Sequence, residues 1–137
     1  MSQVKIRLKQ HSQSAMELEN DTLKIIIDRP VEKGGGGEGL MGGQYLLAGI
    51  AGCYCSTLFA AAQARDIEIK GLTIDVSATM TDDLPKRFSQ VNLGVSYDFC
   101  SDENMLNKLL TIAEKACLSV NTVKTGLAFS VAAASSS

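Results

Sequence analysis

Apolar and polar positions alternate from the start of the chain. Val4, Ile6 and Leu8 interleave with Lys5, Arg7 and Lys9, the two-residue period of a half-buried strand. A polar turn at His11–Ser14 leads to a second short strand over Ala15–Glu19, and Asn20-Asp21 marks another turn. Isoleucine-rich Thr22–Asp28 predicts a third strand, so the first 28 residues read as an antiparallel meander. Pro30 ends the pairing because it has no N–H to donate. After Gly71 the alternation returns twice. Ile74, Val76, Ala78 and Met80 form one apolar face, and Val91, Leu93, Val95, Tyr97 and Phe99 form another beyond the turn TDDLPKR. Ser101 or Asp102 should cap a helix whose stripe is Leu106, Leu110, Ala113 and Cys117. Beyond LSVNTV, the spacing of Leu127, Phe129 and Val131 predicts a last strand.

Between these halves the period disappears. Gly34 to Leu58 holds nine of the twelve glycines and then turns into an uncharged segment, with no charged residue between Glu38 and Arg65. Tyr45, Leu46, Leu47, Ile50, Leu58 and Phe59, with alanines between them, are apolar nearly all round. That is the mark of a long helix buried in protein, expected from about Gly43 to before Asp66. The segment is long enough to raise the question of a membrane span. Its glycines, its cysteines, Ser56 and Thr57 make it weakly hydrophobic, and a core helix is expected instead.

Composition changes this picture little. With 45% hydrophobic residues, 20% charged residues and a net charge of −2, the chain is an ordinary globular one. Its mixed charges leave no basic stripe for nucleic acid. The N-terminal run has no apolar core of a signal peptide, and four cysteines without an export signal point to free thiols in the cytoplasm.

Candidate chemistry narrows to the cysteines. His11, the one histidine, is expected to be solvated in its turn. Cys53-x-Cys55 lacks metal-ligand spacing and a second pair, so no metal site is expected. Gly37-x-Gly39-x-x-Gly42 has the form of a dinucleotide fingerprint. The strand does not lead directly into it, and the acidic residue such a site needs about twenty positions later is missing, so no cofactor is expected. Cys55 and Cys100 read as packing residues.

The order β-β-β-α-β-β-α-β, with a cysteine midway along the first helix and another ending the second, resembles the OsmC/Ohr family. Many members carry paired glycines, several small or polar residues, G-P-S-P-x-E-L-L, then alanines and a cysteine. Gly34 to Cys53, GGGGEGLMGGQYLLAGIAGC, lies along that pattern, although Leu40, Met41 and Gly42 stand where its prolines fall. A second family motif, an A-x-x-x-C-P-V-S-N-T-like run, is matched by AEKACLSVNTV.

The resemblance implies an α+β fold with two main helices, the first long and buried, packed on antiparallel sheet. It implies one OsmC-like domain over residues 1–134, with 135–137 a loose tail, and an intertwined homodimer. It also implies a thiol-dependent peroxidase of organic hydroperoxides, an antioxidant of the oxidative stress response. In this reading Cys53 attacks, Cys117 resolves, and an external thiol reduces the product. The family's activating arginine is held by a glutamate just before the first helix. Gly43 and Gln44 occupy the two positions where that glutamate falls, and Arg29 is the nearest arginine upstream, with Lys33 and Glu38 also in range. Gln44, Leu46 and Ile50 are the implied substrate-pocket residues. The alternative is a dimeric OsmC-like module that binds a small apolar ligand without peroxidase activity.

Overall fold

The computed structural model describes residues 3–134, so the expected loose tail at 135–137 lies outside the described residues. The protein is mixed α+β. Its residues gather into two compact units, one ending at Ala48 and the other beginning at Gly49.

The first unit opens with the expected meander, shorter than its sequence pattern. Strands β1 (Leu8–Gln10), β2 (Met16–Leu18) and β3 (Ile25–Ile27) pair antiparallel in chain order, with Leu8 opposite Leu18 and Met16 opposite Ile27. Local side chains make the turns. The Ser12 hydroxyl accepts the N–H groups of Ser14 and Ala15, and Asn20 Oδ1 accepts those of Thr22 and Leu23. Val4 and Ile6 lie before β1 and are exposed, so the alternation there is not realised as strand within one chain.

Asp28 organises the glycine loop beyond β3. It is 3% exposed, and its carboxylate accepts the N–H groups of Arg29 at 2.7 Å, Gly36 at 3.1 Å and Glu38 at 3.2 Å. Burial alone would raise its pKa. Hydrogen bonds from the Ser14 hydroxyl and from the N–H groups of Glu38, Arg29 and Gly36 outweigh it and hold the carboxyl below its ordinary value. The glycines of this loop answer to crowding. A Cβ on Gly35 would overlap the carbonyl oxygen of Arg29, and one on Gly39 that of Ile26.

Helix α1 (Gly42–Gln63) then begins where the sequence indicates. The Met41 carbonyl accepts the N–H groups of Gln44 and Tyr45, and Gln44 Oε1 accepts the Met41 N–H at 2.9 Å, as the third residue of a capping box does.

The second unit takes the rest of α1, whose Ile50, Tyr54, Leu58 and Ala62 recur every four residues along one face. Strand β4 (Ile69–Lys70) pairs antiparallel with β7 (Phe99–Cys100), and β5 (Thr73–Met80) with β6 (Phe88–Ser96) through the expected turn. In β5, Ile74, Val76 and Ala78 are half-buried while Thr73, Asp75 and Ser77 are exposed. Asp102 starts a short 3₁₀ turn without a side-chain cap, and α2 (Leu106–Ala116) comes next with Leu109 and Ala113 buried. The core is the α1 face with Leu109, Ala113, Cys117 and Val120. Tyr54 is tied across it, its hydroxyl donating to the Leu110 carbonyl at 2.9 Å.

Three further expectations change. LSVNTV is not a connection but most of helix α3 (Leu118–Thr125), which ends where Gly126 takes a positive φ and donates to the Thr122 carbonyl. Leu127, Phe129 and Val131 form no strand in the single chain and are 70–83% exposed. Helix α1 is apolar all round but covered on one side only. Leu46 and Phe59 are 51% and 41% exposed.

Leu58 is fully buried and Leu118 is 73% exposed. Leu58→Ala should therefore cost about 2–5 kcal/mol in urea unfolding, while Leu118→Ala should fall within about 0.5 kcal/mol of the parent. Asp28 has a depressed folded pKa, so its stabilising contribution is complete at neutral pH. The contribution is lost as pH falls below about 4 and through the folded value. Asp28→Asn should lower the melting temperature at neutral pH and flatten its acid limb, measured by thermal melts from about pH 6 down to pH 2.

Candidate functional site: a cysteine pair at the start of a helix

Cys53 lies on α1 between the core residues Ile50 and Tyr54 and is half-buried, packed against the core cluster. Cys117 lies in the single-residue break between α2 and α3. Its extended backbone, φ −74° and ψ 120°, makes it the N-cap of α3, and its side chain is fully buried. The Cys117 thiol donates toward Cys53, with the two Sγ atoms 3.5 Å apart and both cysteines free. A disulfide needs about 2.05 Å between sulfurs, so a small movement separates this contact from a bond.

The surroundings of Cys53 favour its thiolate. Hydrogen bonding from the Ser119 hydroxyl, then from the Ser119 N–H and the Cys117 thiol, holds the Cys53 pKa below its ordinary value. Burial opposes this, and the Leu118 N–H adds to the lowering. Leu118 and Ser119 are the first two residues of α3, whose N–H groups have no partner inside the helix. The first turn carries no acidic residue and no side-chain cap, so its positive end is left to act on the neighbouring sulfur. Cys55, two residues along, has no such donors, and burial pushes its thiol up. Cys100 is buried and donates to the Asp102 carbonyl at 3.5 Å.

Of the residues expected at the site, the second unit contains Cys53, Cys117 and Ile50. Ile50 is 5% exposed within the same core cluster. Arg29, Gln44 and Leu46 belong to the first unit. Arg29 is exposed, its guanidinium 3.5 Å from the Lys33 carbonyl oxygen. Gln44 is engaged in capping α1, and Leu46 is half exposed. Sequence alone does not point to Ser119. Its only signal is its place two residues after Cys117, which matters once that stretch is known to be a helix start. His11 is exposed in its turn, with each ring nitrogen 3.4 Å from a carboxylate oxygen, Nδ1 from Glu17 and Nε2 from Glu38. No group of three or more potential metal ligands occurs among the described residues.

A long apolar helix whose cysteine meets a second cysteine at the start of another helix, beside antiparallel hairpins, defines an α+β protein built around a thiol pair. Residues 35–132 match the family model described as OsmC-like protein, and the chain belongs to that family. Its fold is similar to that of an OsmC-like protein from Mycoplasma pneumoniae, at 22% identity and TM-score 0.76, covering 90% of this chain and 88% of that one. It is also similar to the organic hydroperoxide resistance protein OsmC of Legionella pneumophila, at 21% identity and TM-score 0.69, covering 90% and 92%. A third likeness is to the organic hydroperoxide resistance protein of Bacillus subtilis, at 22% identity and TM-score 0.63, covering 86% and 88%. No curated protein matches the chain.

Mild oxidation by diamide should consume two of the four thiols. Peptide mapping should find them in one Cys53–Cys117 disulfide, with Cys55 and Cys100 still reduced. A bond through either of the latter two would contradict the geometry.

Proposed function

We propose that the chain is a cysteine-based peroxidase that reduces organic hydroperoxides. The observation that carries this reading is the 3.5 Å contact between two unlike thiols, one favoured as thiolate and the other fully buried beside it. Membership of the OsmC-like family supports it, as does likeness of fold to two proteins named for organic hydroperoxide resistance.

The chemistry derives from the pair. The Cys53 thiolate attacks the outer oxygen of ROOH. An S–O bond forms, the O–O bond breaks, and the departing alkoxide takes a proton from solvent to leave as the alcohol. The product is a sulfenic acid on Cys53. The sulfur of Cys117 then displaces its oxygen, which leaves as water, and a Cys53–Cys117 disulfide forms. Two equivalents of an external thiol return both cysteines to the reduced state and leave as a disulfide. Having Cys117 next to Cys53 guards the sulfenic acid against further oxidation.

In this reading Arg29 assists the first step, and Gln44, Leu46 and Ile50 line the substrate pocket. The working unit is a cytoplasmic homodimer in which residues 1–134 of each chain act as one domain. The exposed apolar side chains of Val4, Ile6, Leu46, Leu127, Phe129 and Val131 support the dimer, since a chain alone leaves them to water.

A second reading, a binding module for a small apolar ligand, has its own support. The two positions where the family's glutamate falls hold Gly43 and Gln44, neither acidic, and Gln44 is already used as a cap. The second unit also has an open pocket of about 390 Å³ lined by Phe59, Ala62, Ile67 and Ile69 with Gln63, Asp66 and Glu68 at its polar side, and by neither cysteine.

Titration with cumene hydroperoxide while counting free thiols separates the two. The peroxidase reading expects one equivalent to remove two thiols. It expects Cys53→Ser to abolish turnover, Cys117→Ser to leave a sulfenic acid that dimedone traps, and Arg29→Ala to slow the first step. Retention of all four thiols, with an apolar ligand copurifying, would establish the binding module instead.

A further inference from the structure

We propose that Asn121 is a positioning residue of the thiol pair: by tying α3 to the end of α2, it holds the Cys117 sulfur where it closes on Cys53. This rests on the reading of Cys117 as the resolving thiol, and it concerns the second step of that chemistry rather than the first.

Cys117 is the one residue between two helices. It is both the C-cap of α2 and the N-cap of α3, and its φ and ψ are the soft dihedrals that set the angle between them. A change in either would swing its sulfur relative to that of Cys53, 3.5 Å away on α1. Core packing holds Cys117 and Val120 from the inner side, but burial is not directional and leaves that angle loosely set. Asn121 spans the corner from the exposed side. Its N–H donates to the Cys117 carbonyl at 3.0 Å, and its side-chain amide donates to the Lys115 carbonyl, also at 3.0 Å. The Lys115 carbonyl is one of the last four of α2, which have no partner inside that helix. A single residue thus bonds to the cysteine and to the helix before it.

A second tie lies on the same face. Lys124 is three positions after Asn121 on α3 and pairs with Glu114, the residue before Lys115. Both side chains of that ion pair are more than half exposed, so it is the weaker tie. The Asn121 bond is uncharged and closer to the hinge.

In the closing step the Cys117 sulfur attacks the Cys53 sulfur of the sulfenic acid. The S–S bond forms, the S–O bond breaks, and the hydroxyl leaves as water with the proton that Cys117 gives up. Its rate follows the share of time the attacking sulfur spends in line, which is what the Asn121 tie governs. The earlier attack by Cys53 does not draw on the angle between α2 and α3.

Reaction of the reduced protein with dithiodipyridine separates the two steps without hydroperoxide. The Cys53 thiolate attacks one sulfur of the reagent, breaks its S–S bond and releases one thiopyridone. Cys117 then attacks the Cys53 sulfur and displaces the second as the protein disulfide forms. Peptide mapping of quenched samples assigns each phase. Asn121→Ala should leave the first phase unchanged and slow the second about fivefold, the worth of one such hydrogen bond. Alanine is the better helix former, so α3 itself is not weakened. Asn121→Asp keeps the shape, loses the donor and should slow the second phase as much. Thr122→Ala, which removes a hydroxyl bonded only within α3, should change neither phase. Closure at the parent rate in either Asn121 variant, equal slowing of both phases, or equal slowing by Thr122→Ala overturns the proposal. A slowed second phase in a protein that consumes no cumene hydroperoxide would uphold the role of Asn121 and remove the peroxidase reading. Hydroperoxide turnover with an unslowed second phase would do the reverse.

Discussion

Packing of one face of α1 against α2 and the start of α3 is the constraint on which the second unit depends. Ile50, Tyr54, Leu58 and Ala62 meet Leu109, Ala113, Cys117 and Val120, and the Tyr54 hydroxyl fixes the depth of the contact through the Leu110 carbonyl. Hydrophobic burial is not directional, so it sets how tightly the helices lie and not their register. The hydrogen bond and the fully buried Leu58 and Leu109 supply that. Because Cys53 and Cys117 belong to the same packed surface, two sulfurs 64 positions apart in the chain meet without a dedicated loop. The site is a by-product of the core.

Legibility in the sequence tracks the strength of each local signal. Helix α1 was readable because more than twenty uncharged residues come after a glycine loop. The β5 and β6 hairpin was readable because its period of two runs through most of both strands, broken only near the turn where the register shifts at Thr79 and Met80. The roles expected of Cys53 and Cys117 come from motif resemblance rather than spacing, and the structure adds the contact of their sulfurs. The remainder was hidden for physical reasons. Val120, Thr122, Val123 and Thr125 favour strand, yet they lie in α3, which starts after the extended backbone of Cys117, buries Val120 in the core and ends at Gly126.

The patterns that failed in the single chain have a common character. Val4 and Ile6, like Leu127, Phe129 and Val131, alternate as strands do but belong to no strand among the described residues and are exposed. The outer side of α1 is similarly uncovered. Alternation records that a segment is meant to be half-buried, and it does not say in which molecule the covering surface lies. Asp28 shows the opposite case. Its sequence neighbourhood gives no hint of burial, yet it accepts three backbone N–H groups from Arg29 and the glycine loop, giving shape to a run of residues that has no side chains with which to shape itself.

The separation of the two cysteines along the chain carries a consequence for unfolding. A bond between residues 64 positions apart would close nearly half the chain into a loop. It would remove about 4 kcal/mol of conformational freedom from the unfolded state in the chain-entropy model. The reduced and oxidised proteins would then share a fold while differing widely in their resistance to unfolding. The thiol that reduces the bond would set, with each cycle, how long the chain survives.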